Sequence, residues 1–170
     1  HPDVGFVSTQ VSFMTPRGGQ NGEFRNPSDD YFNGTDWRKV EWEDAFNRAP
    51  IWHATVLMRK AVAEQAGLYR PEFRTGEDMD LWLRMLEIAP GAILRFCPYH
   101  VRVHLSSSCK RNYSVRAYYR ETCYALAKER REKGSDRLQR SEGMPPIEPF
   151  VKKAESARRT GQNVDSELLF

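Results

Sequence analysis

A helix with well-marked ends is the feature that most restricts how this chain can fold. In the segment GEDMDLWLRMLEIAPG, residues 76–91, apolar side chains recur at helical spacing from Leu81 to Ala89. Gly76 stands before the pattern, and Pro90-Gly91 stops it. The apolar run AILRF follows at once. These residues predict a helix with one face on the core, followed by a short strand.

Further strands and helices are predicted ahead of this unit. The β-branched and aromatic run VGFVSTQVSFM, residues 4–14, predicts a buried strand that weakens toward its end. Residues 15–36 are dense in Gly, Pro, Asn and Asp and predict a loop. A strand over residues 53–58 is expected to lead into a short helix from about Arg59, with Gly67 ending that helix in a left-handed turn.

The segment PYHVRVHL alternates strictly and predicts a second strand after AILRF. Its two faces carry Tyr99, Val101 and Val103 on one side and His100, Arg102 and His104 on the other. The polar face must therefore point away from a hydrophobic core.

A long basic helix is predicted from Ser114, as the N-cap, to Gly134, with a last basic helix over about Phe150–Thr160. The expected core stripe of the long helix consists of Val115, Tyr118, Tyr119, Thr122 and Leu126. Residues 110–140 hold ten Lys or Arg against four acids, although the whole chain carries only +3. A solvated helix face explains this excess, and the alternative is an anionic partner such as phospholipid headgroups or nucleic acid.

Length and cysteine content exclude several classes of protein. A chain of 170 residues can bury a real core, and it holds no apolar run near the ~20 residues that span a bilayer. Its three cysteines form no Cys-x-x-Cys, so reduced thiols in a cytoplasmic protein are expected rather than a disulfide framework or a zinc site. The start lacks an initiator Met, so we expect an excerpt from a longer protein.

Three acids at the start of the predicted helix are candidates for catalysis. Glu77 and Asp78 stand where a loop becomes a helix, a place from which a rigidly held general base could reach a ligand. Acidic residues also stabilise the positive end of any helix, and the local pattern alone favours that explanation. Asp78 and Asp80 diverge by about 200° on a helix and cannot chelate one ion, so Asp80 is expected to hydrogen-bond within the first turn.

The histidines give a weaker pattern. His100, Arg102 and His104 lie ~6.6 Å apart along one strand face, too far for neighbours to bind one metal together. Each can act separately, Arg102 on phosphate oxygens and a histidine as one ligand of a metal held mainly from elsewhere, or all can lie on a solvated edge strand. His53, at the start of a strand, has a structural role as its simpler explanation.

The order of these motifs is more specific than any one of them. The segment HATVLMRKAVAEQAGLYRPEFRTGEDMDLWLRML, followed by YHVRVHLSSS, resembles the C-terminal half of the catalytic domain in family 2 glycosyltransferases of the GT-A fold. The resemblance covers about residues 50–108 closely, and HPDVGFVST is similar to the strand after that family's metal-binding Asp-x-Asp. It implies a partial GT-A, Rossmann-like domain over residues 1–110, with a mixed sheet and flanking helices, and a basic helical extension over 111–170.

The resemblance also implies roles for individual residues. Asp78 corresponds to the base that deprotonates the acceptor hydroxyl, and Glu77 to its neighbour in acceptor positioning. Arg102 falls near the donor diphosphate, and His104 near the metal or diphosphate. We include His53 among the candidate substrate-binding residues. The implied cofactor is a divalent cation, Mn²⁺ or Mg²⁺, bound mainly by residues outside this chain.

Two departures from the family pattern affect what the chain is expected to do. Cys109 stands where the last serine of an Ser-x-Ser motif would be. The nucleotide-binding half with its Asp-x-Asp is not in this chain, so we expect no catalysis by these residues alone. An exposed sheet edge could instead pair with a second copy of the chain.

The sequence is therefore interpreted as the acceptor-side part of an inverting glycosyltransferase. Its expected partners are a nucleotide-sugar donor, a glycan or lipid-linked acceptor and an anionic membrane surface, with no nucleic acid. A cytoplasmic location, peripheral to the inner face of the membrane, is expected. The alternative is a non-catalytic binding module that uses the basic helix 114–140 on nucleic acid or an anionic membrane, and a third interpretation is an inactive remnant of such an enzyme.

Overall fold

The computed structural model describes residues 2–19, 29–46, 50–104, 113–150 and 152. Contacts divide the chain into two compact units. Unit 1 comprises residues 1–68 and 81–107, and unit 2 comprises residues 69–80 and 108–170. The short segment 69–80, which carries the candidate acids, thus groups with the C-terminal part of the chain.

Unit 1 is built on a four-stranded mixed sheet in the order β2-β4-β1-β3. Its strands are β1 (Phe6–Met14), β2 (Trp37–Val40), β3 (Leu57–Met58) and β4 (Gly91–Arg102). Strands β1 and β4 run parallel, while β3 pairs antiparallel with β1 and β2 antiparallel with β4. The chain is therefore a mixed α/β protein, as the sequence predicts.

Helices accompany this sheet. They are α1 (Asp29–Phe32), α2 (Trp42–Phe46) and α3 (Lys60–Gln65), followed by α4 (Glu77–Leu86). Gly67 has φ +85°, which confirms the left-handed end predicted after α3. The buried Arg84 donates to the backbone oxygens of Ala66 and Leu68, so a charged side chain in α4 satisfies carbonyls at the end of α3.

The apolar face of α4 forms the core of unit 1 together with the sheet. Leu81, Trp82 and Met85 are each at most 3% exposed. The Trp82 ring lies 5.3 Å from that of Phe6 on β1, measured between centroids. This packing confirms the stripe predicted from Leu81 to Leu86, although the helix ends at Leu86 and does not include Ala89.

Gly91 and Phe6 pair across the two parallel strands, and the fit at this point leaves no room for a side chain. A Cβ on Gly91 would lie 2.5 Å from Cζ of Phe6. Gly91→Ala should therefore force the buried ring aside and destabilise the protein by about 1 to 3 kcal/mol.

Chemical denaturation followed by tryptophan fluorescence measures this loss, because Trp82 packs on the same ring. Gly19→Ala is the control, since among the described residues a Cβ there meets only the Thr15 hydroxyl, at 3.4 Å. Equal stability of Gly91→Ala and the parent would show that this packing is wrong.

Several predicted strands differ in extent from those observed. AILRF and PYHVR are parts of one strand, β4, whose pairing with β1 is irregular between Leu94 and Tyr99. Residues 53–55 form a 3₁₀ turn rather than a strand, because the Thr55 hydroxyl bonds the backbone of Trp52 and Thr9. Strand β2 was not predicted at all, and residues 29–32 of the expected loop are helical.

Unit 2 contains the long helix α5 (Tyr113–Lys133). Tyr118, Tyr119, Thr122 and Leu126 are buried and Val115 is partly buried, in agreement with the predicted stripe. Gly134 follows with φ +76°, as expected for a helix end. The helix begins at Tyr113, so Ser114 lies inside it and is not the N-cap. The predicted helix 150–160 lies outside the described residues except at Phe150 and Lys152, which are helical.

None of the helices in the described ranges combines the length and apolarity that a bilayer span requires.

Candidate functional site

The candidate acids lie at the beginning of α4, in unit 2. Gly76, with φ +74°, makes the left-handed turn from which the helix starts, and Glu77 and Asp78 are its first two residues. Both side chains are partly buried. Oδ1 of Asp78 accepts a hydrogen bond of 2.8 Å from the backbone N–H of Met79, which fixes one edge of the carboxylate.

Tyr69 is a third member of this group that the sequence did not single out. Its side chain is well exposed. Partial burial, followed by the negative charges of Asp78 and Glu77, raises the pKa of Tyr69. An aromatic ring therefore lies within electrostatic reach of both acids.

Asp80 has a larger role than the first-turn hydrogen bond expected from the sequence. Its side chain is fully buried, and its Oδ1 lies 3.4 Å from Nη1 of Arg70. The same Arg70 nitrogen lies 2.8 Å from Oδ2 of Asp136, which also accepts from Arg130 at 2.6 Å. Four charged groups thus form one buried network, and Asp80 belongs to the internal structure of unit 2.

Asp136 is the centre of this network, and its local sequence explains how it is held. In Asp136-Arg-Leu-Gln139, the Asp136 carboxylate accepts from the Gln139 N–H at 2.9 Å, and the Gln139 side chain accepts from the Asp136 N–H at 2.8 Å. This reciprocal pair has the hydrogen bonds of a capping box, here at the start of a single turn over residues 137–141. Burial raises the pKa of Asp136, but the hydrogen bonds from Gln139, Arg130 and Arg70 outweigh it and hold the pKa below its usual value.

Cys123 on α5 contacts the residue that precedes the acids, Gly76. Its fully buried thiol donates to the backbone oxygen of Gly76 over 3.6 Å. Burial, and then the charges of Asp80 and Asp78, raise the pKa of Cys123 well above its usual value, so the thiol stays protonated and acts as a donor. The predicted reduced state agrees with the free thiols of Cys97 and Cys123, while Cys109 lies outside the described residues.

The candidate donor-side residues lie in unit 1, at the carboxyl ends of the parallel strands β1 and β4. Ligands of open α/β sheets bind at this end of the strands. His100, Arg102 and His104 are exposed there, as the alternation predicts, whereas Tyr99 is also exposed and does not join the buried face. His100 Nδ1 hydrogen-bonds the hydroxyl of Ser12, its partner across the sheet.

Arg102 contacts the loop that follows β1. Its Nη1 donates to the backbone oxygens of Pro16, at 2.7 Å, and Thr15, at 3.4 Å. A guanidinium has five N–H donors, so these bonds occupy only part of its capacity. His104 is exposed two residues beyond the end of β4.

His53 lies in the 3₁₀ turn beside β1. Its imidazole meets the Trp82 ring edge-on, with centroids 5.8 Å apart. The residue as a whole is exposed. This contact supplies the structural role that the sequence favoured for His53, and it leaves part of the side chain accessible.

The described parts of the chain offer no group of three or more His, Cys, Asp or Glu side chains arranged for a metal ion. His104 is exposed, and an imidazole nitrogen can serve as one ligand of a metal ion.

The structure therefore groups the candidates in two sets. Glu77 and Asp78 belong to unit 2, together with Tyr69 and the buried network. His53, Arg102 and His104 belong to unit 1. The sequence missed Arg70, Cys123 and Asp136, of which only Asp136 carried a recognisable pattern, the capping box.

No protein-family profile matches this sequence, and no curated protein gives a significant match to it.

Proposed function

We propose that this chain is the acceptor-side part of an inverting glycosyltransferase of the GT-A fold, similar to family 2. The enzyme would move a sugar from a nucleoside diphosphate to the hydroxyl of a glycan or a lipid-linked acceptor. The observation that carries the proposal is the different placement of the three acids. Asp80 is buried and paired within an ion network, whereas Asp78 and Glu77 are partly exposed at the start of a helix.

Inversion at the anomeric carbon needs one base and an in-line attack. Asp78 would accept the proton of the acceptor hydroxyl as that oxygen bonds to the sugar and the diphosphate leaves. The N–H of Met79 holds Oδ1 of Asp78 and thereby orients the carboxylate. Glu77 would position the acceptor, and the neighbouring Tyr69 ring gives that acceptor an apolar surface.

The donor side is proposed to involve the residues of unit 1. Arg102 would bind the diphosphate through the N–H groups that the loop carbonyls leave available. His104 would provide one ligand to Mn²⁺ or Mg²⁺, and His53 would take part in substrate binding. When bound, the cation would neutralise charge on the departing diphosphate.

The alternative is a binding module built on the basic helix, and one observation argues against nucleic acid as its partner. Tyr118 and Tyr119 are only 5% and 8% exposed, so these two rings are packed inside unit 2 rather than presented to nucleic acid bases. An anionic membrane surface remains compatible with the glycosyltransferase proposal, because the lipid-linked acceptor would lie there.

The proposal is tested by donor turnover. The enzyme that includes the nucleotide-binding half should release nucleoside diphosphate from at least one nucleotide sugar, with Mn²⁺ or Mg²⁺ and an acceptor, and NMR should show an inverted anomeric centre in the product. The 170-residue chain alone should bind uridine or other nucleoside diphosphates weakly or not at all in calorimetry with Mn²⁺.

Two results would contradict this division of labour. One is low-micromolar binding of a nucleoside diphosphate by the 170-residue chain alone. The other is the absence of any acceptor-dependent release by the complete enzyme across uridine, guanosine and thymidine diphosphate sugars.

A further inference from the structure

We propose that Asp136 and Cys123 are positioning residues for the carboxylate of Asp78, so that the C-terminal extension is a working part of the catalytic apparatus. This inference rests on the proposed function, because it assigns a purpose to the buried contacts around the candidate base. It concerns unit 2 alone, which contains all the groups involved.

The first contact holds the chain two residues after Asp78. Asp80 is joined to Arg70, Arg70 to Asp136, and Asp136 to Arg130 near the end of α5. The side chains of Asp80 and Asp136 are completely buried, and those of Arg70 and Arg130 are 12% and 6% exposed. Charged hydrogen bonds of this kind are directional, so they fix where the first turn of α4 lies against α5.

The second contact holds the chain two residues before Asp78. The Cys123 thiol donates to the backbone oxygen of Gly76, and that same oxygen accepts the N–H of Asp80 at 3.1 Å. Tyr119, one turn earlier on α5, packs its ring 5.7 Å from that of Phe73, centroid to centroid. The loop that enters the helix is therefore fixed to α5 by both polar and aromatic contacts.

These contacts hold the chain before and after Asp78, while the Asp78 side chain itself is partly exposed. An apolar core would stabilise unit 2 at least as well as a buried ion network, since burying charges is costly. What the network adds is a fixed position for the backbone from Gly76 to Asp80. A base displaced by about 1 Å can lose on the order of 100-fold in rate, which gives this fixed position a catalytic value.

The first experiment measures backbone protection and does not require an enzyme assay. Amide hydrogen exchange of Met79 and Asp80 is measured by NMR in the 170-residue chain, since the Met79 N–H bonds the Asp78 carboxylate directly. Asp136→Asn and Cys123→Ala should each speed this exchange about 5-fold or more, and Cys123→Ser, which keeps a donor, should restore most of the protection. Cys97→Ala on β4 is the matched control and should change it less than about 2-fold.

The second experiment measures kinetics in the complete enzyme. Asp136→Asn and Cys123→Ala should lower kcat about 10-fold while the KM for the donor stays within about 2-fold. Cys123→Ser should recover kcat, and Cys97→Ala should keep it. If Asp136→Asn does not fold, Cys123→Ala carries the same test, because it leaves every charge in place.

The outcomes separate this inference from the proposed function. Sugar transfer by the parent with unchanged exchange in both variants, or faster exchange with parental kcat, would overturn the positioning role alone. A parent enzyme that transfers no sugar to any acceptor would overturn the proposed function and this inference with it.

Discussion

Replacing Asp136 by Ala is expected to lower the free energy of unfolding by about 3 to 5 kcal/mol. The Asp136 carboxylate is fully buried, and one of its oxygens accepts from both Arg70 and Arg130. Alanine would leave two nearly buried guanidinium groups facing each other without the anion between them. Chemical denaturation at pH 7 measures the loss, and far-UV circular dichroism is the appropriate observable because unit 2 contains the 21-residue helix α5.

The effect of this substitution should depend on pH. The pKa of Asp136 is lower in the folded protein than its usual value. Such a carboxyl group stabilises the fold above its unfolded pKa, and that contribution is lost as the pH falls through the folded pKa. The difference in unfolding free energy between the parent and Asp136→Ala should be complete above about pH 5 and become smaller below about pH 4.

Glu142→Gln provides the control for this prediction. Glu142 is an exposed carboxylate of the same unit that pairs with Arg140 at 2.6 Å. Exposed pairs of this kind contribute little, so the variant should unfold close to the parent. If Asp136→Ala were as stable as Glu142→Gln, the buried network would not hold unit 2 together.

The long periodic elements of this fold can be predicted from sequence, and the short ones cannot. Helices α4 and α5 and strand β1 each carry enough apolar residues at one spacing to reveal both their type and their buried face. Strand β2 has four residues, of which only Val40 is buried, so its alternation gives no clear pattern. It forms because pairing with β4 supplies its hydrogen bonds, which is information from elsewhere in the chain.

The three acids at the start of α4 could be predicted from the sequence, but the buried ion network that Asp80 joins could not. Helix geometry already sets Asp80 apart from Asp78 and predicts a hydrogen bond for Asp80 within the first turn, but it does not reveal that Asp80 has a buried ion partner. The structure shows the difference in burial: Asp80 is buried against Arg70, whereas Asp78 is partly exposed. The partner that completes this arrangement, Asp136, lies more than fifty residues along the chain, beyond the reach of any local pattern.

The second large effect is expected at Asp78 itself. In the proposed glycosyltransferase, Asp78→Asn should reduce the turnover number by ~100-fold or more, because the amide keeps the size and the hydrogen bond to Met79 but cannot accept a proton. Donor binding should be nearly unchanged. Folding should survive, since the lost charge at the helix start is worth only ~0.3 to 1 kcal/mol.

Asp80→Asn is not a suitable control for that experiment, although it lies in the same helical turn. Asp80 is fully buried against Arg70, so removing its charge would disturb the fold of unit 2. Glu72→Gln is better matched. Glu72 is an exposed acid in the same segment, six residues before Asp78, and it has no proposed part in the reaction.

The turnover numbers of Asp78→Asn and Glu72→Gln, measured side by side at saturating donor and acceptor, test the central claim most directly. The proposed mechanism predicts a loss of ~100-fold or more for Asp78→Asn and a parental value for Glu72→Gln, with both proteins folded by circular dichroism. Near-parental turnover of a folded Asp78→Asn would contradict it. The acids at the start of α4 would then serve the helix alone.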